Sequence, residues 1–456
     1  MKDLTTGKVG SSIFFFALPM LIGNVFQQFY QIIDSMVVGH YIGKSALAAV
    51  GASFPLIFLL VSLIIGVGSG FTVIISQYFG AKDMDKVKRS IDTMYYVMFF
   101  AAIILTVVGL LVGGKILELT KLPPDVLPEA KLFFNIFMGG SIFLFGFNGT
   151  AAMLRGLGDS KTPLYFLAAS LIINIILDLI FVIGFHWGIA GVAYATVISE
   201  ALAFSATVIY MNKYHEIIKF SIKKLPVFNT EIFWQSVRIG LPSGFQQTFV
   251  ALGMIALYSI VNRHGTSVIA AYSVAGRIDS LATLPAMNFA MALSAFVGQN
   301  MGANRPDRVK KGLKATFLMS LCVSLFFTFV SMVFGKELML LFSHEKEVVE
   351  TGAQYLFLVG AFYSFFSTMF VLGGTIRGAG DTLVSMFITL IALWVVRVPV
   401  SYFLSERIGV TGIWWGIPAG WVVGVIISYF YYLSGRWKNK AVVKYPIAPG
   451  PVEVME

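Results

Sequence analysis

Apolar stretches of about 20 residues recur along the chain, broken by short polar loops. A helix of about 20 apolar residues crosses a hydrocarbon layer of roughly 30 Å. Twelve such spans are predicted, over 13–38, 50–78, 93–113, 132–154, 164–184, 189–210, 233–260, 271–300, 314–334, 352–374, 384–404 and 412–434. The runs at 50–78 and 271–300 exceed one straight crossing, which implies tilt or extension into the interface. The fold class expected is an all-α polytopic membrane protein. The first span follows "MKDLTTGKVGSS" without a small-residue cleavage pattern and reads as an uncleaved helix.

The chain repeats itself. "SQYFGAKDMDKVKRS" (76–90) aligns with "GQNMGANRPDRVKKG" (298–312), and at the same offset "LRGLGDS" (154–160) aligns with "IRGAGDT" (376–382). "GIAGVAY" (188–194) faces "GVTGIWW" (409–415) one residue out of step, and "ALP" (17–19) faces "GLP" (240–242). Each copy holds six spans, so both share one orientation. That predicts two pseudo-symmetric six-helix bundles with a cavity at their interface. The units expected are a bundle over 1–212, a connector over 213–230, a second bundle over 231–437 and a polar, Pro-containing tail over 438–456 that is disordered at its end.

Composition agrees with this solvent: 57% of residues are apolar and 12% charged. Of 33 Lys and Arg, 23 fall on one side of the predicted topology and 8 on the other, with Arg277 and Arg397 inside spans. The richer side includes both termini and the 213–230 connector, and is the cytoplasmic one by the positive-inside rule. The location expected is therefore the cell (inner) membrane with both termini cytoplasmic. The net charge of +10 is a topology signal and not a nucleic-acid footprint. Five His (40, 186, 215, 264, 344) lie scattered in loops without metal spacing, and no cofactor is expected.

Ionisable side chains at membrane depth are costly and mark functional candidates. Asn174 and Asp178 are i, i+4 neighbours in "LIINIILDLIFVIGF" and share one helix face. Counting helix rise from the predicted loops brings Asp34, Asn174, Asp178 and Thr196 to similar depths in the outer half of the first bundle. Two carboxyls, an amide and a hydroxyl suit a proton relay; the same oxygens suit Na+. The plainer alternative is interhelical hydrogen bonding. Glu200, one turn beyond Thr196, extends the relay, contacts a cationic substrate, or stitches helices. The second copy places Ala256, Val396 and Val400 opposite Asp34, Asn174 and Asp178. It offers Gln246 and Gln247 as polar groups instead, so coupling is expected in the first half alone. Arg277, Asp279 and Arg397 read as structural charge pairs, and Pro19 and Pro242 as equivalent hinge points.

The duplicated spans, "ALP" in the first, "QYFGAKD" after the second and "RGLGDSKTP" after the fourth resemble the MATE (multidrug and toxic compound extrusion) family over essentially the whole chain. The resemblance implies a V-shaped antiporter that exports cationic amphipathic compounds against inward H+ or Na+, and the duplicated bundle with a central cleft suits alternating access. It is similar in particular to the DinF-like branch, whose Asp in the first span, N-x3-D in the fifth and Thr in the sixth fall on Asp34, Asn174, Asp178 and Thr196. The acids of the NorM-like branch in the seventh and tenth spans have no counterpart. H+ is expected over Na+, and a monomer is expected. Two rivals carry less. A lipid-linked saccharide flippase would need a strongly basic cavity, whereas Asp34, Asp178, Glu200 and Asp279 outnumber Arg277 and Arg397. An intramembrane aspartyl protease would use the Gly-x-Gly-Asp of 156–159 and 378–381, but the chain has no Tyr-Asp to complete the pair.

Overall fold

Helix follows helix throughout the computed structural model, which describes residues 2–120, 122–214 and 227–443. The first half comprises α1 (Val9–Ile42), α2 (Lys44–Gly80), α3 (Met84–Leu119), α4 (Val126–Gly156), α5 (Lys161–Gly184) and α6 (Gly188–Tyr214). The second comprises α7 (Thr230–His264), α8 (Thr266–Gly302), α9 (Pro306–Leu340), the pair α10 (Lys346–Gly360) and α11 (Tyr363–Gly378), α12 (Thr382–Ile408) and α13 (Val410–Leu433). Among the described residues eleven helices are long and apolar enough to cross a membrane. The pair α10–α11, bent by 49°, supplies the twelfth span as a broken one. Residues 215–226 of the connector and 444–456 of the tail lie outside the described residues.

Local chemistry sets several helix boundaries. The Asp83 side chain accepts from the Lys86 amide at 3.0 Å and starts α3, and Asn229 does the same for α7 through Ile232. Pro306 starts α9, where its missing N–H costs nothing. Pro19 and Pro242 are buried inside α1 and α7, and both helices run through them. Three segments loosen into π turns: Val38–Ile42 ending α1, Ile180–Gly184 ending α5, and Ile391–Arg397 within α12.

In the first bundle α4 packs between α2 and α6, and α5 lies against α1 and α6. In the second, α8 packs on α9, α10 and α11, α12 lies against α7 and α13, and α13 also packs on α11. The bundles join where α2 meets α7 and α8, and where α1 meets α8 and α9. Lipid offers little hydrophobic drive for helix association, so close backbone approach at small residues supplies the attraction. A methyl group on Gly66 would stand 2.1 Å from the Gly244 backbone nitrogen, and one on Gly80 would stand 1.9 Å from the Gln299 carbonyl oxygen. Neither position admits another residue. Hydrogen bonds between the bundles run from the side that holds both termini up to Ser62–Thr248 (3.1 Å) and Asn24–Asn288 (2.8 Å). Among the described residues none joins them farther out. The hydrogen bonds between the bundles are therefore gathered on the terminus side.

Candidate cation site in the first bundle

The packing of α5 between α1 and α6 decides which side chains meet. Asp178 on α5 is fully buried and its carboxyl faces that of Asp34 on α1 closely enough to interact directly. Asn174, one helical turn nearer the terminus side on the same face of α5, is buried as well. Thr196 and Glu200 stand on α6, half-buried, and the Thr196 hydroxyl donates to the Val192 carbonyl at 3.0 Å. That bond uses its proton and leaves its lone pairs to accept from a neighbour.

One residue that the polar pattern did not single out joins the group. Tyr30, one turn before Asp34 on the same face of α1, reaches Thr196 and interacts with Asp34, Asp178 and Glu200. The i, i+4 spacing from Asp34 was the signal that pointed to it. A tyrosine in an aromatic-rich membrane helix does not otherwise stand out.

The group is underserved by its surroundings. Asp34 Oδ1, both Asp178 oxygens, both Asn174 amide atoms and Glu200 Oε2 are buried with no hydrogen-bond partner among the described residues. Among the described residues no Lys or Arg forms an ion pair with any of these acids. A buried carboxylate without a donor or a counter-charge is expensive. Two facing each other add repulsion. What the arrangement lacks is a positive charge, which a proton shared between the facing carboxyls, or a small cation among the oxygens, would supply.

Elsewhere the polar residues are more fully employed. Gln246 on α7 donates to the Thr389 hydroxyl at 2.6 Å and ties α7 to α12 within the second bundle. Gln247 is half-buried beside it on α7, and Arg277 is exposed. Asp279 on α8 interacts with Tyr363 on α11 and with the charge of Arg397 on α12, and Arg397 reaches Tyr272. The second bundle thus holds an acid with a guanidinium in its field, although Asp279 Oδ1 and Arg397 Nε are themselves buried without a hydrogen-bond partner among the described residues. Aromatics wall the group: Tyr272 stacks on Trp414 at 5.6 Å, and Tyr355 meets Trp414 edge-on at 4.9 Å.

Comparison with known proteins places this geometry in context. The MatE family model matches residues 19–180 and again 242–403, one match in each half. The chain is 34% identical over 436 residues to a probable multidrug resistance protein, YpnP, of Bacillus subtilis strain 168, covering 96% of this chain and 97% of that one. A second protein of that organism, the probable multidrug resistance protein YoeA, is 32% identical over 444 residues, covering 96% of each chain. A solved structure described as the outward-facing conformation of a multidrug resistance MATE family transporter of the MOP superfamily superposes with a TM-score of 0.89. It is 21% identical, over 96% of this chain and 99% of that one.

Proposed function

The chain belongs to the MatE family, and from that premise we propose that it is an antiporter exporting cationic, amphipathic compounds from the cell in exchange for an inward-moving cation, H+ rather than Na+. Members of the family are transporters and not enzymes. The relatives named as multidrug resistance proteins support an efflux role. The hydrogen bonds between the bundles gather on the terminus side, which supports alternating access with the cleft open outward. The excess of Lys and Arg on the terminus side supports a cytoplasmic location for both termini. The transporting unit is the monomer, with the bundles 1–212 and 231–437 rocking about their shared boundary and Pro19 and Pro242 bending α1 and α7.

One observation carries the coupling assignment: the facing Asp34 and Asp178 carboxyls, buried without a donor or a counter-charge. Each proton taken from outside relieves their repulsion, and each proton released inside restores it. Asn174, Thr196 and Tyr30 orient the pair. Glu200 lies one turn from Thr196 toward the inner side, on the route a proton takes out. The drug binds in the cleft, and its positive charge competes with the proton for the same acids. Neither Gln246, already bonded to Thr389, nor Gln247 is required for coupling.

The test is drug efflux from proteoliposomes carrying a pH gradient and no Na+. Transport under that gradient alone is the expected result. No transport there, with transport restored by an inward Na+ gradient, assigns the site to Na+ instead.

A further inference from the structure

The two most strongly duplicated sequences of the chain come together in one place. At the ends of α2 and α8 on the terminus side, Gln77 and Gln299 occupy equivalent positions in the two copies. Gln77 Nε2 donates to the Gly378 carbonyl of the second bundle at 3.1 Å. Gln299 Nε2 donates to the Gly156 carbonyl of the first, also at 3.1 Å. Each glutamine thus reaches across the bundle boundary to the first glycine of the other half's Gly-x-Gly-Asp. Those carbonyls end α4 and α11, where the helix supplies no partner of its own.

The other end of each amide holds an end of the chain. Gln299 Oε1 accepts from the Leu4 amide at 2.8 Å, and Gln77 Oε1 accepts from the Val442 amide at 2.6 Å. The second glycine of each motif receives the same segments. Gly158 (φ +81°) and Gly380 (φ +100°) are left-handed, and a methyl group there would stand 2.1 Å from the Lys2 carbonyl oxygen and 2.8 Å from that of Lys440. Further bonds seat both ends: Asn300 Nδ2 donates to the Leu4 carbonyl at 3.2 Å, Arg305 to that of Thr5 at 2.8 Å, and Lys440 lies 3.9 Å from Asp381. Leu4 and Trp437 are buried.

We infer that Gln77 and Gln299, with the chain ends that they hold (residues 2–7 and 436–443), form the inner gate of this transporter, a two-fold clasp that must release before the cleft opens to the terminus side. The inference rests on the alternating-access reading above. A static anchor would tie parts of one bundle together. These bonds instead join the bodies that have to separate, and they do so at each copy's own glycine motif. The chain ends are the extended or loosely coiled part of the seam, so they leave and return without unwinding a transmembrane helix. The few amide bonds involved are weak enough to break and re-form on each cycle. This reading also accounts for the Gly-x-Gly-Asp repeats, which are sockets for the termini and not catalytic motifs.

Accessibility from the terminus side tests it. Ser294 on α8 lines a cavity of about 100 Å³ on the cleft side of the clasp, together with Ser69, Asn148 and Arg155. On a Cys322→Ala background, Ser294→Cys is exposed to a membrane-impermeant maleimide applied to the terminus face of oriented vesicles. Loss of two buried hydrogen bonds per glutamine should speed labelling by roughly tenfold or more in the Gln77→Ala/Gln299→Ala pair. Single variants should fall between, and so should a chain lacking residues 2–7, which loses the Leu4 bond to Gln299 but keeps both cross-bundle amide donors. Gln77→Glu/Gln299→Glu keeps the acceptors for the chain ends but deletes the cross-bundle donors, two of the four bonds, and it should label faster than the parental protein and more slowly than the alanine pair. If the alanine pair does not fold, the single variants and the truncation decide. Labelling at the parental rate in all folded variants overturns the gate. Neither drug nor ion gradient enters the measurement, so a failed gate and a failed coupling assignment give separate results.

Discussion

Both bundles bury acid, and they treat it in opposite ways. In the second, Asp279 lies beside Tyr363 and within the field of Arg397, so a cation of the protein itself offsets part of its charge. In the first, Asp34, Asp178 and Glu200 share a compartment with an amide, a hydroxyl and a phenol but no cation. Balanced charge in a low-dielectric interior holds helices in register and asks nothing of the solvent. Unbalanced charge there has to be neutralised from outside the protein. Duplication therefore preserved the scaffold of the two halves while their polar centres diverged, one into a brace and one into the proposed port for a cation.

Three experiments press on this contrast. The largest effect is expected from Asp178→Asn or Asp34→Asn, which remove one member of the facing pair: gradient-driven efflux in proteoliposomes should fall to the background of empty liposomes while the protein stays monodisperse. Efflux at the parental rate from folded Asp178→Asn protein would make the pair structural. The next is a change of stability rather than coupling. Asp279→Asn leaves Arg397 without its balancing charge, which should cost about 1–3 kcal/mol, seen as a lower thermal midpoint in detergent. Its efflux should remain pH-driven, and Asp279→Asn/Arg397→Gln should recover part of the midpoint. Loss of coupling in the single variant would show the second bundle to be a port as well. The smallest effect belongs to Tyr30→Phe, which keeps the ring and deletes the hydroxyl that reaches Thr196. Efflux should slow by roughly two- to fivefold, the worth of one hydrogen bond, with its pH profile displaced. A displaced profile separates tuning of the acids from loss of packing.

Much of this was readable from the chain. Twelve apolar runs and the offset between "QYFGAKD" and "QNMGANR" define the duplicated helical architecture, because hydrocarbon admits few other ways to satisfy a backbone. Asp178 and Asn174 stood out because acids and amides are rare at that depth. Tyr30 did not, since a tyrosine is unremarkable among the neighbouring aromatics. The break between α10 and α11 is illegible for a similar reason: "LFLVGAFYSFF" is continuous in hydropathy, and the 49° bend at Ala361 and Phe362 leaves no mark in it. The beginning of the tail was also illegible. Lys438–Val443 looks like the start of a polar extension, yet Val442 is held by a glutamine some 365 positions earlier in the chain, a contact that local pattern does not encode.

Helix α1 has one further consequence. It carries Asp34 near one end, and the peptide that enters its other end carries Leu4, bonded to Gln299. A single continuous rod thus connects the acids to the far edge of the molecule, with Pro19 as a soft point along its length. From Pro19 to Val9 the lever arm is about 15 Å at a helix rise of about 1.5 Å per residue. A tilt of about 10° at the proline would then swing the end of the rod by roughly 2.5 Å, close to the whole length of the 2.8 Å bond that it must undo. On the proposed reading, a charge gained or lost at Asp34 would be geared through covalent bonds to the clasp at the other end of α1.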